Sequence, residues 1–157
     1  MPRPKRYLLA ICMGFLAAVS ACGGSDSPVE VAFARVAGLN AASWPPGFYQ
    51  ARTEPAWETV WAQRQTSEFP VSPIPAVDFG REMVVGVSEG MGSNGCHNLS
   101  ITRVIEGDSE LVVEYLRTIP GFDPAHPIAC TLALVPLVDF IVTRQSDKPV
   151  RFVRTET

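Results

Sequence analysis

The chain is poor in what chemistry usually needs. Of its 157 residues only two are histidine and four are cysteine, the types that ligate soft metals or carry nucleophilic catalysis. It has no G-x-S-x-G elbow and no internal repeat. Strand and helix patterns do not alternate, which argues against a doubly wound α/β fold. Beyond residue 21 no run of eighteen apolar residues occurs. The longest candidate, Ile128 to Val142, is broken by Pro136 and Asp139. Basic excess is also missing. The net charge is −3, and an acidic chain is a poor partner for nucleic acid.

What is present begins at the first residue. Arg3, Lys5 and Arg6 form a positive segment, and Tyr7 to Val19 is apolar but short for a bilayer span. Val19-Ser20-Ala21-Cys22 then sets small residues before a cysteine. This resembles the lipobox of bacterial lipoproteins, in which the cysteine thiol takes a diacylglyceryl group and becomes the new N-terminus. The resemblance implies a signal peptide over 1–21, lipidation of Cys22 with palmitate-type chains, and attachment to a membrane through that lipid. Two acyl chains hold stably where one binds marginally, at about 0.8 kcal/mol per buried methylene. Gly23, in place of an aspartate, points to the outer membrane. The alternative is plain secretion, with cleavage near Ala21.

Without residues 1–21 the chain has 157 − 21 = 136 residues and a charge of 10 − 16 = −6. That is one domain, large enough for a real core. Residues 22–28 form a flexible tether (GGSDSP follows Cys22), and 29–157 the domain. Cys96 and Cys130 are the cysteines left in the folded part. An even pair in an exported chain favours a disulfide, here with one possible connectivity. The alternatives are free thiols and zinc held by Cys96, His97, His126 and Cys130, and against zinc, neighbours such as Cys96 and His97 point to opposite faces of a strand.

One segment reads as helix. Thr53 to Gln65 has a cap at Thr53 or Glu54, Pro55 in the first turn, and Trp57, Val60 and Trp61 on one stripe. Strands are expected at Val29–Val36, Phe48–Arg52, Met83–Val87, His97–Ile105, Glu110–Arg117, Ala129–Leu134, Leu137–Thr143 and Val150–Val153. Leu99 and Ile101 face inward, with Val104 a third candidate, followed by Leu111, Val113 and Tyr115. Phe69 to Pro75 holds three prolines and is extended. Glu89 to Gly95 reads as a glycine-rich turn, and Thr118 to Pro127 as a loop. The sum is α+β: a mainly antiparallel sheet with one N-terminal amphipathic helix packed on it.

Few residues here suggest catalysis. A Cys–His nucleophile needs a free thiolate, which a disulfide removes. Ser100 and Ser109 lack an elbow. Glu54, Glu58, Asp78, Glu82 and Glu89 are scattered acids. Gly90 to Gly95 leads into a strand, with neither a helix N-terminus nor a P-loop lysine to bind phosphate. No catalytic residue, metal or cofactor is expected.

Trp57 to Trp61 (WETVW), Pro75 to Phe79 (PAVDF), Met83 to Val87 (MVVGV) and the glycine-rich turn into Leu99 to Val104 resemble the PrcB C-terminal domain family. Pro127 to Val142 and Val150 to Phe152 are similar to its closing strands. The resemblance covers about residues 53–154. The family's namesake is an accessory lipoprotein of a bacterial surface protease complex. The chain departs where the family has a Thr-Gly-Gly-Tyr-like segment. Ser93-Asn94-Gly95-Cys96-His97 stands there instead, similar to a cysteine-bearing subgroup with Cys130 as partner. The resemblance implies a non-enzymatic envelope lipoprotein that binds another envelope protein, with a protease as one such partner. The contact loops would carry Met91, Ser93, Asn94, His97, Phe122 and His126. The alternative is a structural or small-ligand-binding lipoprotein with no protease partner.

Overall fold

A computed structural model describes residues 27–39, 42–67, 69–118 and 129–155. The signal segment, Cys22, Phe122 and His126 lie outside the described residues. The elements are β1 (Val29–Glu30), β2 (Phe33–Arg35), β3 (Ala42–Ser43), β4 (Gly47–Ala51), α1 (Glu54–Trp61), β5 (Gln65–Thr66), β6 (Glu82–Gly92), β7 (Asn98–Glu106), β8 (Leu111–Thr118), β9 (Val135–Arg144) and β10 (Val150–Thr155).

The expected α+β class is corrected. The described residues form a mainly β structure: two four-stranded sheets, in the orders β1-β7-β8-β10 and β2-β9-β6-β4, and a two-stranded ribbon β3-β5. The single described helix has eight residues, two turns that are too short to make a layer of their own. The single sheet implied by successive hairpins is two sheets because the chain crosses between them. β9 joins the second sheet, and β10 returns to pair with β8 in parallel. Ala129–Leu134, expected as a strand, is irregular.

The main core lies between the sheets. Met83, Val85, Val87, Leu137 and Ile141 of one face Leu99, Ile101, Val104, Leu111, Val113 and Tyr115 of the other. Alternation accounts for this pattern except at Val104, which breaks the period of two after Ile101. The register of β7 against β8 shifts between Ile101 and Arg103, and the extra residue returns Val104 to the core face.

A second core covers the opposite face of β6 and β9. There Trp44, Trp57, Val60 and Trp61 pack with Val84 and Phe140. Thr53 is extended and caps α1, its Oγ1 accepting the Ala56 amide at 3.4 Å. The buried indoles are satisfied: Trp57 Nε1 donates to Pro75 O at 3.1 Å and Trp44 Nε1 to Val60 O at 3.0 Å. β6 is buried on both faces, which its unbroken apolar run Met83-Val84-Val85-Gly86-Val87 reflects. Gly86 is required there. A Cβ at this position would lie 2.1 Å from the Phe140 ring.

Candidate functional site

The two ends of the sheets differ. β1 pairs Val29 with Glu106, so the chain enters beside the last residue of β7. The first residue of β7, Asn98, follows the turn after β6 at the other end. Eight residue steps separate these ends, about 26 Å at strand rise. The end reached last from residue 27 is called the distal end below.

The distal end is built around a disulfide. Cys96 and Cys130 are bonded, with Cα atoms 5.3 Å apart at a sequence separation of 34. The bond withdraws both thiolates, so the zinc set and the Cys–His nucleophile are not available. The β6–β7 turn folds around Asn94, whose Oδ1 accepts the Cys96 amide at 3.0 Å and whose carbonyl accepts the His97 amide at 3.3 Å. Gly95 donates its amide to Thr131 O at 2.9 Å. A Cβ on Gly95 would fall 2.0 Å from Thr131 Oγ1, so a larger residue there would have to turn that hydroxyl away.

Of the six residues expected to form contact loops, four are described and come together here. Met91 is 47% exposed on the last stretch of β6. Ser93 Oγ lies 3.4 Å from His97 Nε2. His97 Nδ1 is buried, and among the described residues no acid bonds to it to orient the imidazole as a catalytic triad requires. Leu132 and Leu134, expected in a strand, are 94% and 66% exposed two and four residues after Cys130.

The expected Glu89–Gly95 turn is shorter than anticipated, because β6 continues to Gly92. A bulge between Ser88 and Gly90, with Gly90 at φ 81°, makes Glu89 the extra residue. Its carboxylate crosses to the other sheet, taking Arg117 at 2.7 Å and Arg154 at 3.6 Å. Tyr115 lies beside them, its hydroxyl pushed above the usual phenol range by burial and then by the Glu89 charge. Next to Tyr115, Phe48 of β4 stacks on Phe152 of β10, centroids 4.5 Å apart, and meets Tyr115 edge-on at 6.0 Å. This group was missed from sequence. Its signal was parity: Arg117 and Arg154 continue the inward series of Leu111-Val113-Tyr115 and Val150-Phe152.

The entry end carries an open pocket of about 660 Å³ lined by Ser27, Val29, Glu106, Gly107, Asp108, Arg144 and Lys148. Arg144 and Lys148 both pair with Glu106, the lysine at 3.0 Å. With Asp108 also in the lining, the two cations face two acids. The Lys148 hydrogen bond, with help from Arg144, holds the Glu106 carboxyl below its ordinary range. The other acids are dispersed. Asp78 pairs loosely with Arg81, and Glu54 sits in the first turn of α1. Among the described residues no group of three or more His, Cys, Asp or Glu could hold a metal ion.

No helix among the described residues is long and apolar enough to cross a membrane. The disulfide is compatible with an oxidising compartment outside the cytoplasm. Comparison with protein-family models, with curated proteins and with solved structures returned no match.

Proposed function

We propose that this chain is a lipid-anchored envelope protein whose domain is a non-catalytic binding module for another envelope protein. The observation that carries this reading is the polarity of the domain. The chain enters at one end, while Met91, Leu132 and Leu134 stand exposed around a disulfide at the other. A domain tethered through Cys22 would present that distal end away from the lipid. Exposed apolar side chains grouped at one place mark interaction surfaces more than scattered ones do. The disulfide supports this by fixing the turn and the irregular segment around Thr131 against each other before binding, which lowers the ordering cost.

The lipobox supports an outer-membrane anchor, and the resemblance to the PrcB C-terminal domain family supports an envelope protease as one partner class. The test replaces Met91 and Leu134 by serine (Met91→Ser, Leu134→Ser) in the full-length, lipidated protein. Loss of co-purifying partner with an unchanged melting temperature is expected. Undiminished partner recovery, with mass spectrometry confirming lipid on Cys22, would overturn the reading. The small-ligand alternative has the entry-end pocket, but its two cations, Arg144 and Lys148, are matched by two acids of the same lining, Glu106 and Asp108.

A further inference from the structure

We infer that β10 is an acceptor edge for an extended peptide strand of the partner, one that runs parallel to it, as β8 does on its other side, and carries an apolar side chain and, two residues on, a carboxylate. The inference rests on the binding-module reading and gives that module its mode of recognition.

β10 ends its sheet among the described residues, where one row of its N–H and C=O groups faces no strand. Of the four strands that end the two four-stranded sheets it is the longest, six residues against two, three and five for β1, β2 and β4. Its neighbour across the gap is Phe48. That ring points between the sheets, where it stacks on Phe152, yet it stays 58% exposed. A phenylalanine aimed into an inter-sheet space and still open to water marks a place where the covering strand is missing. A strand added beside β10 would supply the cover.

The side-chain chemistry of that strand follows from the pleat. Phe152 and Arg154 lie on the same face of β10, two residues apart. A partner residue opposite Phe152 would rest on the Phe48–Phe152 stack and should be apolar. The partner residue opposite Arg154 would meet a guanidinium that is 44% exposed and only loosely paired, at 3.6 Å, with Glu89. Two arginines share that one glutamate, so the cluster holds net positive charge in an acidic chain. A carboxylate completes it. Main-chain bonds would give affinity and the two pockets specificity, as in other strand-addition complexes.

The test uses the peptide acetyl-TVTLTDT-amide against the full-length protein in detergent micelles, read by amide chemical shifts and hydrogen exchange. Protection of Val150–Thr155 amides and shifts of the Phe48 ring are expected. Arg154→Glu should weaken binding at least tenfold and should confer binding of acetyl-TVTLTKT-amide. Phe48→Ala should weaken the acidic peptide without changing the Arg154 charge swap. No change at β10 with millimolar peptide, equal binding of both peptides, or perturbation confined to the disulfide loops would overturn strand addition. Protection of β10 by concentration-dependent dimerisation alone, detected by sedimentation, would also overturn it and assign the edge to a second copy. The binding-module reading fails separately, when no envelope partner is recovered at all.

Discussion

Asp139 accepts the Ile101 amide at 2.8 Å, across the seam between the two sheets. The relationship has a cause on each side. Ile101 stands at the β7 bulge, where an inward-facing residue needs an acceptor outside its own ladder. Asp139 sits mid-strand in β9 with its side chain buried on the core face, where a carboxylate is costly unless paired. Arg35 of β2 pairs with the same oxygen and donates to Ile101 O at 3.1 Å. One aspartate thus joins β2, β7 and β9.

Removing that carboxylate leaves a buried amide and a guanidinium unpaired. Asp139→Ala should cost about 3 kcal/mol. Arg35→Ala should cost less, about 1–2 kcal/mol, because the arginine is half-exposed and the Ile101 amide keeps its acceptor. Urea denaturation of both variants checks the order. Equal or negligible losses would remove Asp139 from its joining role.

Much of the strand content was legible because alternation is a direct readout of one buried face. Leu99, Ile101, Leu111, Val113 and Tyr115 all lie in the inter-sheet core. The Trp57-Val60-Trp61 stripe marked α1, although the helix stops four residues earlier than the pattern suggested. The fold class was misread because hairpin spacing does not say when a strand leaves its sheet. β9 and β10 look alike in sequence and belong to different sheets. Of the candidate site, the disulfide was legible from compartment and pairing. The Glu89 cluster was not, because a bulge that re-aims one side chain depends on a single glycine at positive φ.

Gly86→Ala should destabilise by about 2–3 kcal/mol, since a methyl would overlap the Phe140 ring in a core with no room on either face. Phe140→Leu in the same chain should recover part of the loss. Thermal unfolding of the single and double variants tests this. Additive losses would mean that the ring is not the obstacle.

The disulfide closes a long loop and should contribute about 4 kcal/mol in the chain-entropy model. Cys96→Ala with Cys130→Ala should lower the melting temperature and raise amide exchange first at Gly92–Cys96, leaving β7 and β8 protected. Uniform loss of protection would show that the bond holds the whole domain rather than its distal end.

Stability should fall with acid through Glu106. Its carboxyl is held below the ordinary value near 4.5 by Lys148 and Arg144. A lowered native pKa means the unfolded state binds the proton first. The contribution is therefore present above pH about 4.5 and is lost as pH falls through the native value. Lys148→Met should flatten this slope by lowering stability above pH about 4.5, where the contribution is present, and should change it little at pH 3. Denaturation midpoints from pH 3 to 7 check it. An unchanged slope would assign the acid sensitivity to other carboxylates.

The central claim is that the domain meets its partner at the end away from its anchor. A photo-crosslinking amino acid placed in turn at Met91, Leu134 and Asp108 of the lipidated protein in its own envelope tests it most directly. Met91 and Leu134 should capture one and the same protein, and Asp108, at the entry end, should not. Capture of protein from Asp108 alone, with lipid confirmed on Cys22, would contradict the account.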